Sequence, residues 1–457
     1  MRDKLKVGAA REDITPEPGI QLAGDIGRYR PVEEIRDPLW AGALVLGTSG
    51  KRACILSLNL LAASNEWADR LRAGAAERLG TTSEMVILHV IQNHAAPSLG
   101  HCFVSERSTL MPPEYPWLRG GDDRYNEPTV EKCLTAVSRA LERLEPAALH
   151  VGRGVDGRLA FNRRFVMRDG RVRTHPETCD GDILHAEGPV DPEVAAAVFT
   201  GANGNVLSAL LHHTCHPCHG YPHRFVIGDW PGRWAELMTS AWGGDCVPLV
   251  INGCCGNVHH ANHLDPHYTA DYRRMAAMLA ETTGKALARM EPMKVDPLVM
   301  ERSVLRLPLR ALSQREMEDA RRFIERHPAP KWLDAEKMRV DWDWVYAVGL
   351  LDLEETREID PYCDYEIQVL RIGGFAVAAL MGEPFVEEQL RIKRESPAAY
   401  TFVAHFCNGY AGYIPTARAF RGGGYETRTS NGSKFQPGAL AAIGDETLRL
   451  LGRAFGG

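Results

Sequence analysis

Apolar runs that stop abruptly at polar, metal-capable or glycine-rich clusters recur along this chain. Six such junctions are Met85–Ile91 before Gln92-Asn93-His94, Leu159–Phe161 before Asn162-Arg163-Arg164, Val206–Leu211 before His212-His213-Thr214-Cys215-His216-Pro217, Val247–Ile251 before Asn252-Gly253-Cys254-Cys255-Gly256-Asn257-Val258-His259-His260, Phe375–Leu380 before Gly382-Glu383-Pro384, and Thr401–Phe406 before Asn408-Gly409-Tyr410-Ala411-Gly412-Tyr413. Short apolar runs bounded in this way are typical of buried strands. Because α/β enzymes place their chemistry at strand ends, the pattern predicts an active site built from several strand ends.

Hairpin and helix signals between these junctions indicate the fold class. Hairpin turns are predicted at Thr48-Ser49-Gly50, Asp169-Gly170, Asn203-Gly204 and Gly373-Gly374. Helices are predicted from Ser64 or Asn65 to Gly80, over Thr129–Leu144 and Thr269–Met290, from a capping box at Ser313-Gln314-Arg315-Glu316 to Arg326, and over Asp445–Phe455. Since hairpins join antiparallel strands, we expect a mixed α/β fold with mixed, largely antiparallel sheets flanked by helices.

Composition excludes several classes of partner. The 457 residues carry a net charge of −6 without a long basic run, so nothing indicates nucleic acid binding. No apolar run reaches the roughly 18 residues that a membrane span needs, and the charged Met1–Gly8 segment is not a secretory signal. The odd count of 11 scattered cysteines favours reduced thiols. We therefore expect a cytoplasmic protein with a small-molecule substrate; its oligomeric state is left open.

No linker divides residues 1–457, so a single catalytic domain is predicted. The long segment Ser98–Pro128, rich in proline and aromatic residues, directly follows the His94 junction. Loops of that length usually form lids or substrate walls.

Four junctions carry candidate functional residues. His216 lies among four histidines in eight residues, which favours metal binding over a structural role. Glu383 is either the cap of a helix beginning near Pro384 or a ligand of the site. Tyr413, between glycines, suits a pocket wall, and Arg163 suits a clamp for an oxyanion or carboxylate.

Ten short segments, in this order, resemble the catalytic domain of the neutral/alkaline (non-lysosomal) ceramidase-like family. They are Val7-Gly8-Ala9-Ala10 with Asp13-Ile14-Thr15-Pro16, Asp37-Pro38-Leu39, Asn93-His94 with Pro97, Asn162-Arg163-Arg164, Cys215-His216-Pro217, Gly228-Asp229-Trp230-Pro231-Gly232, Gly253 with Gly256-Asn257, Gly382-Glu383-Pro384-Phe385, Asn408-Gly409-Tyr410 with Gly412-Tyr413-Ile414-Pro415-Thr416, and Gly424-Tyr425-Glu426. The resemblance runs nearly from end to end of the chain.

The resemblance implies a site with one Zn²⁺. Matched residue by residue, it makes His216, Glu383 and Tyr413 metal ligands. It places His94, Arg163 and Tyr425 around the reacting group as catalytic residues.

One position departs from the family pattern. Gln92 stands where the family has its first histidine ligand, and Pro97 fixes that register. Glutamine is a poor zinc ligand and is better suited to harder ions. The expectations are therefore zinc, another divalent metal, a weakly bound or absent metal, or a metal held by His94 after a shift of the loop.

The resemblance implies a metal-dependent hydrolase, with zinc as the expected metal, that cleaves an amide, N-acyl or related bond. Ceramidases usually carry a C-terminal β-sandwich domain and are secreted or membrane-associated; this chain is expected to lack both features, so ceramide is not the expected substrate. One alternative is a carbohydrate-active hydrolase or lyase that uses histidine, tyrosine and arginine without the standard zinc site. Another is a non-catalytic binding protein on the same fold.

Overall fold

The computed structural model describes residues 5–48, 50–104 and 108–456. Ser49 of the predicted Thr48–Gly50 turn, and Met1–Lys4 of the N-terminal segment, lie outside that range. Within it the strands are β1 Lys6–Asp13, β2 Glu34–Ile35, β3 Trp40–Thr48, β4 Lys51–Leu58, β5 Val86–Val90, β6 Glu145–Val155, β7 Phe161–Asn162, β8 Arg164–Met167, β9 Val172–Thr174, β10 Ile183–Ala186, β11 Glu193–Gly201, β12 Val206–His213, β13 Phe225–Val226, β14 Val247–Asn252, β15 Val258–His259, β16 Glu291–Met293, β17 Leu298–Pro308, β18 Tyr362–Ile372, β19 Phe375–Leu380, β20 Glu383–Pro384, β21 Tyr400–Ala404 and β22 Tyr413–Ile414.

The α-helices of the same described residues surround these strands. They are α1 Asn65–Leu79, α2 Asp123–Glu142, α3 Asp229–Trp242, α4 Tyr272–Leu287, α5 Gln314–Arg326, α6 Trp342–Ile359, α7 Val386–Glu395, α8 Ala419–Gly422 and α9 Ala439–Phe455. Short 3₁₀ turns cover Ser83–Met85, Pro116–Arg119 and Tyr425–Thr427.

A large mixed sheet forms one half of the core. Its order is β14-β12-β11-β6-β1-β3-β4-β5, with β16 also paired to β6. The β12–β14 and β4–β5 pairs are parallel and the others are antiparallel. The predicted mixed, largely antiparallel architecture is confirmed.

A second sheet, β17-β18-β19-β21, packs against the inner face of the first. Alternate residues of both sheets meet there; Leu44 and Leu210 of the large sheet share one apolar cluster with Val377 and Phe402 of the second. The outer face of the large sheet is covered by α1 to α4, and the outer face of the second sheet by α7 and α9. The side-chain period of two in each strand thus builds a helix–sheet–sheet–helix arrangement.

Helix caps agree with the sequence in most places. Ser64 caps α1 and Gly80, in the left-handed region at φ 62°, ends it. The capping box between Ser313 and Glu316 is present at the start of α5. Three boundaries differ: α2 begins earlier than Thr129, α4 begins later than Thr269, and α9 begins earlier than Asp445. The first two differences arise because Asp122 and Asp271 provide the N-caps.

Among the described residues, no helix is both long enough and apolar enough to cross a membrane.

Candidate functional site

Glu383 and Tyr413 lie side by side because β20 and β22 pair in parallel with these two residues in register. The glycine before each of them allows the close approach of the two backbones. A Cβ atom on Gly382 would lie 2.5 Å from the carbonyl oxygen of Gly412. Both glycines also have positive φ, 63° and 74° respectively. The Gly-Glu and Gly-Tyr pairs are therefore a geometric requirement of this pairing.

His216 directs an unpaired ring nitrogen toward Glu383. Its Nδ1 lies 2.7 Å from the carbonyl oxygen of Cys255 and 3.2 Å from that of Val258, so Nδ1 carries the proton and donates it. Nε2 is buried without a hydrogen-bond partner and lies 3.3 Å from Oε2 of Glu383. Burial, and next the charge of Arg163, hold the pKa of His216 well below its usual value. The imidazole is therefore neutral, with a lone pair facing the carboxyl group.

Gln92 occupies the other side of the same carboxyl group. Its Nε2 donates to Oε2 of Glu383 at 2.6 Å, and its Oε1 lies 3.4 Å from Sγ of Cys255. Gln92 has φ of 68°, an unusual backbone conformation that turns the chain at the end of β5. Burial raises the pKa of Glu383 to about 7, although the nearby guanidinium of Arg163 lowers it. Gln92 thus contacts the carboxyl group directly.

Arg163 is buried and held on two sides. Its Nε donates to Oε1 of Glu426 at 3.0 Å, and its Nη2 donates to the carbonyl oxygen of Gly256 at 2.6 Å. The guanidinium carbon lies 5.4 Å from the ring centroid of Tyr413 and 5.1 Å from that of Tyr425. Arg163 is therefore fixed beside both tyrosines.

Glu426 organises the arginine side of the site, and the sequence reasoning missed it. It is fully buried and also accepts hydrogen bonds from Nη1 of Arg164 at 2.6 Å and Oγ1 of Thr174 at 2.7 Å. Two consecutive arginines after an apolar run were the available signal, because two buried guanidiniums require acidic partners.

Tyr413 and Tyr425 form an aromatic pair with ring centroids 5.7 Å apart and planes at 72°. Burial raises the pKa of the Tyr413 phenol, which keeps it protonated and able to donate. Tyr425 is 37% exposed, so it can be reached from solvent.

His94 completes the group. Its ring centroid lies 5.6 Å from that of His216, and its Nε2 is buried without a hydrogen-bond partner. A Cβ on Gly24, which has φ of 94°, would lie 2.7 Å from Nδ1 of His94, so this glycine leaves room for the ring. Burial, followed by the charge of His216 and then of Arg30, holds the pKa of His94 well below its usual value. His94, which the resemblance makes a catalytic residue, is therefore a neutral base in the protein without substrate.

The structure brings all six predicted site residues together. Consecutive contacts link His94 to His216, His216 to Glu383, Glu383 to Tyr413, and Tyr413 to both Arg163 and Tyr425. Their catalytic and metal-binding roles stay predictions.

The donor chemistry of the site can be compared with that of a metal centre. The unpaired Nε2 of His216, the carboxyl group of Glu383 and the phenol of Tyr413 fit as three donors to a divalent cation. Among the described residues, however, no group of three or more His, Cys, Asp or Glu is arranged to hold a metal ion. Gln92 would complete the set only through its amide oxygen, after rotation of an amide whose nitrogen now faces Glu383. The four donors would then be one nitrogen, from His216, and three oxygens, from Glu383, Tyr413 and Gln92. This set suits an ion that prefers oxygen ligands at least as well as it suits zinc.

The Ser98–Pro128 segment, expected to be a lid or substrate wall, lines a different cavity where it is described; residues 105–107 lie outside the described range. This cavity of about 620 Å³ is bordered by Tyr115, Pro116 and Trp117, together with Tyr29 and Met338 among others. None of the six site residues lines it. The segment's role as a wall of the candidate site stays a prediction.

No protein-family model and no curated protein matches this chain. Solved structures do. The neutral ceramidase from Pseudomonas aeruginosa superposes with a TM-score of 0.73 at 17% identity, covering 99% of this chain and 74% of that one. A structure of a ceramidase complexed with C2 superposes with a TM-score of 0.72 at 16% identity, covering 98% of this chain and 75% of that one.

These matches confirm the neutral-ceramidase-like fold that the sequence resemblance implied. At this level of identity the likeness concerns the fold, because one fold supports many activities.

Proposed function

We propose that the protein is a hydrolase that cleaves an amide, N-acyl or related bond in a small substrate other than ceramide. The observation that carries the proposal is the continuous contact from His94 through His216 and Glu383 to Arg163 and Tyr425. The ceramidase-like fold supports it as an analogy.

In this proposal Tyr425 and Arg163 bind the substrate carbonyl. Tyr425 is accessible and keeps its proton, so its hydroxyl donates a hydrogen bond to the carbonyl oxygen. Arg163, fixed by Glu426 and Gly256, places positive charge beside the oxygen as it becomes negative. Donors fixed in advance stabilise a transition state more than a ground state, because they need no reorganisation.

His94 manages the protons. Because its imidazole is neutral, its unpaired Nε2 first accepts a proton from the attacking water. The resulting imidazolium then donates that proton to the leaving nitrogen or oxygen, so one residue acts as base and then as acid.

A divalent cation, if bound, would be held by His216, Glu383 and Tyr413. It would supply Lewis-acid polarisation of the carbonyl and a lower pKa for a bound water. The hydrogen bond of Gln92 to Glu383 favours a second candidate, acid–base cleavage of a sugar derivative without a metal, since an amide N–H occupies the carboxyl group.

The experiment is a substrate screen with matched variants. N-acyl amines, N-acyl sugars, glycosides and ceramide are offered to the wild-type protein, to Glu383→Gln and to Glu366→Gln. Glu366 is a half-buried carboxylate that pairs with Arg72, outside the six-residue set. We expect Glu383→Gln to lower activity about 100-fold or more, because changing even the hydrogen-bond partners of metal ligands typically costs about 10- to 100-fold.

Glu366→Gln should keep its activity per folded molecule. If the protein cleaves glycosides but hydrolyses none of the N-acyl substrates, the result would favour the second candidate, the metal-free cleavage of a sugar derivative. Tight binding without turnover of any substrate would favour a binding protein. Metal analysis of the gently purified protein separates the metal-dependent mechanism from the metal-free one.

A further inference from the structure

A group of histidines outside the six-residue set borders the site. Its members, which we call the histidine rim, are His175, His219, His259, His260 and His263. His259 lies beside His216, with ring centroids 6.2 Å apart, and His175 stands edge-on to His259 at 4.6 Å. Nδ1 of His175 lies 3.0 Å from Nε2 of His263. The rim therefore extends outward from the proposed reacting group.

The backbone places the rim there. His216 and His259 form a parallel bridge, and β15 pairs with β7, which directly precedes Arg163. The backbone N–H of His175 donates to the carbonyl oxygen of Arg163 at 2.9 Å. His175 also has φ of 50°, an unusual backbone conformation for a residue other than glycine.

Two rim members, His219 and His260, already interact with other groups of the protein. Nδ1 of His219 donates to Oδ1 of Asp229 at 2.7 Å, and the ring of His219 stacks on that of His260 at 3.7 Å. The other three are available to a ligand. His175 is exposed, and His259 and His263 are partly exposed. Nδ1 of His263 is buried without a hydrogen-bond partner.

The hydrogen bonds indicate uncharged rings in this available group. Nδ1 of His259 accepts the backbone N–H of Ala261 at 3.2 Å, so that nitrogen carries no proton. The facing nitrogens of His175 and His263 can share only one hydrogen. A neutral imidazole offers one donor and one acceptor.

The charges nearby are balanced. Arg163 pairs with Glu426, and Arg164 pairs with both Glu426 and Glu187. Each of these arginines is thus paired with a carboxylate, so they do not give the rim a net positive charge. An acyl chain against the rim would leave imidazole nitrogens without hydrogen-bond partners, which disfavours its binding.

A hydroxyl group matches the rim better than a carboxylate or an alkyl chain, because it both donates and accepts. We propose that His175, His259 and His263 bind the hydroxyl groups of an uncharged, polyhydroxylated part of the substrate. The location rests on the proposed function, since the rim borders that same site, but binding does not depend on turnover.

The experiment is titration calorimetry on the full chain with three classes of probe. The uncharged polyols are N-acetylglucosamine, N-acetylgalactosamine and myo-inositol; the charged sugar is glucuronate; the apolar amide is hexanamide. We expect at least one polyol to bind more tightly than both other classes. His175→Ala and His263→Ala should each weaken that polyol about tenfold, because the lost partner leaves a substrate hydroxyl unpaired.

His185→Ala is the matched control, since His185 is exposed in β10 and contacts its neighbour's carbonyl oxygen. It should leave the affinity unchanged. Because His175 is exposed, its variant tests the rim even if a variant of His259 fails to fold. Preferred binding of glucuronate or hexanamide, or no polyol binding at millimolar concentration, would overturn the inference.

The two proposals can fail separately. Polyol binding that depends on His175, without hydrolysis of any substrate, supports the rim and contradicts the hydrolase. Hydrolysis with no effect of His175→Ala on the affinity for any probe contradicts the rim alone.

Discussion

Two buried polar regions adjoin one short segment of the chain, at Thr214 and at His216, and they differ in how far their polar atoms are paired. Thr214 faces a network in which Gln389 donates to both Asp191 and Thr214 at 2.7 Å. Lys393 also donates to Asp191, at 2.7 Å. His216, two residues further on, faces the candidate site with an unpaired Nε2.

This difference teaches how to separate scaffold from site. A buried polar network whose atoms are paired contributes to a unique fold, whereas an unpaired buried atom costs free energy. Such costs persist where the group has another use, such as binding a substrate or an ion. We therefore expect changes at the network to affect stability and changes at the site to affect activity.

The largest expected effect is at the site. Tyr413→Phe should lower the rate of hydrolysis about 100- to 1000-fold with little change in the free energy of unfolding, because it removes one hydroxyl from the reacting region. Tyr410→Phe is the matched control. Tyr410 lies in the same segment as Tyr413, but its ring packs against Phe103 and Phe406. Steady-state kinetics and chemical denaturation measure the two effects. Equal rates of hydrolysis in the two variants would contradict a special role of Tyr413 in the reaction.

The network should show the opposite behaviour. Lys393→Ala leaves the buried carboxylate of Asp191 without its cation and should lower the free energy of unfolding by about 3 kcal/mol. Activity per folded molecule should stay near that of the wild type. Lys285→Ala, which removes an exposed pair with Glu281, should change the free energy of unfolding far less than Lys393→Ala. If Lys393→Ala abolishes activity while the protein remains folded, the network belongs to the site.

Acid should also act on the network. The pKa of Asp191 is lowered to about 2, because Lys393 and hydrogen bonds outweigh the effect of burial. A lowered folded-state pKa means that this stability is present above the unfolded pKa of about 3.9 and is lost as pH falls toward 2. Unfolding free energies measured from pH 5 to pH 2 should fall less steeply in Asp191→Asn. An unchanged slope would contradict this assignment.

The smallest expected effect is on metal affinity, and it tests whether position 92 faces a metal ion. Gln92→His exchanges the amide that bonds to Glu383 for an imidazole, a better zinc ligand, and histidine tolerates the positive φ found here. We expect the affinity for zinc to rise about tenfold or more in competition with a chelator. Gln92→Ala should show no such rise. No gain in Gln92→His would show that position 92 does not face a metal.

Much of this site could be predicted from the sequence, because each junction joins an apolar strand to a glycine or polar cluster. His216, Glu383 and Tyr413 follow that rule and meet. The partners of these residues could not be predicted, since they depend on tertiary packing: the hydrogen bond from Gln92 and the buried carboxylate of Glu426 join segments hundreds of residues apart.

The fold shows the same division. Hairpin turns predicted the antiparallel β8–β9, β11–β12 and β18–β19 pairs. The parallel β12–β14 pair carries no local turn signal, so it could not be derived. Helix α6 was missed although its cap, Asp341, and the buried Val345, Val348 and Asp352 follow helical spacing.

The central claim is that residues from distant segments act on one reacting group. A double-mutant cycle of Glu383→Gln and Tyr425→Phe, measured as kcat/KM on a cleaved substrate, tests this most directly. Residues that act as a unit are not additive, so the double variant should be about as impaired as the worse single variant. Multiplication of the two single losses, as expected for Glu383→Gln with Tyr410→Phe, would contradict the claim.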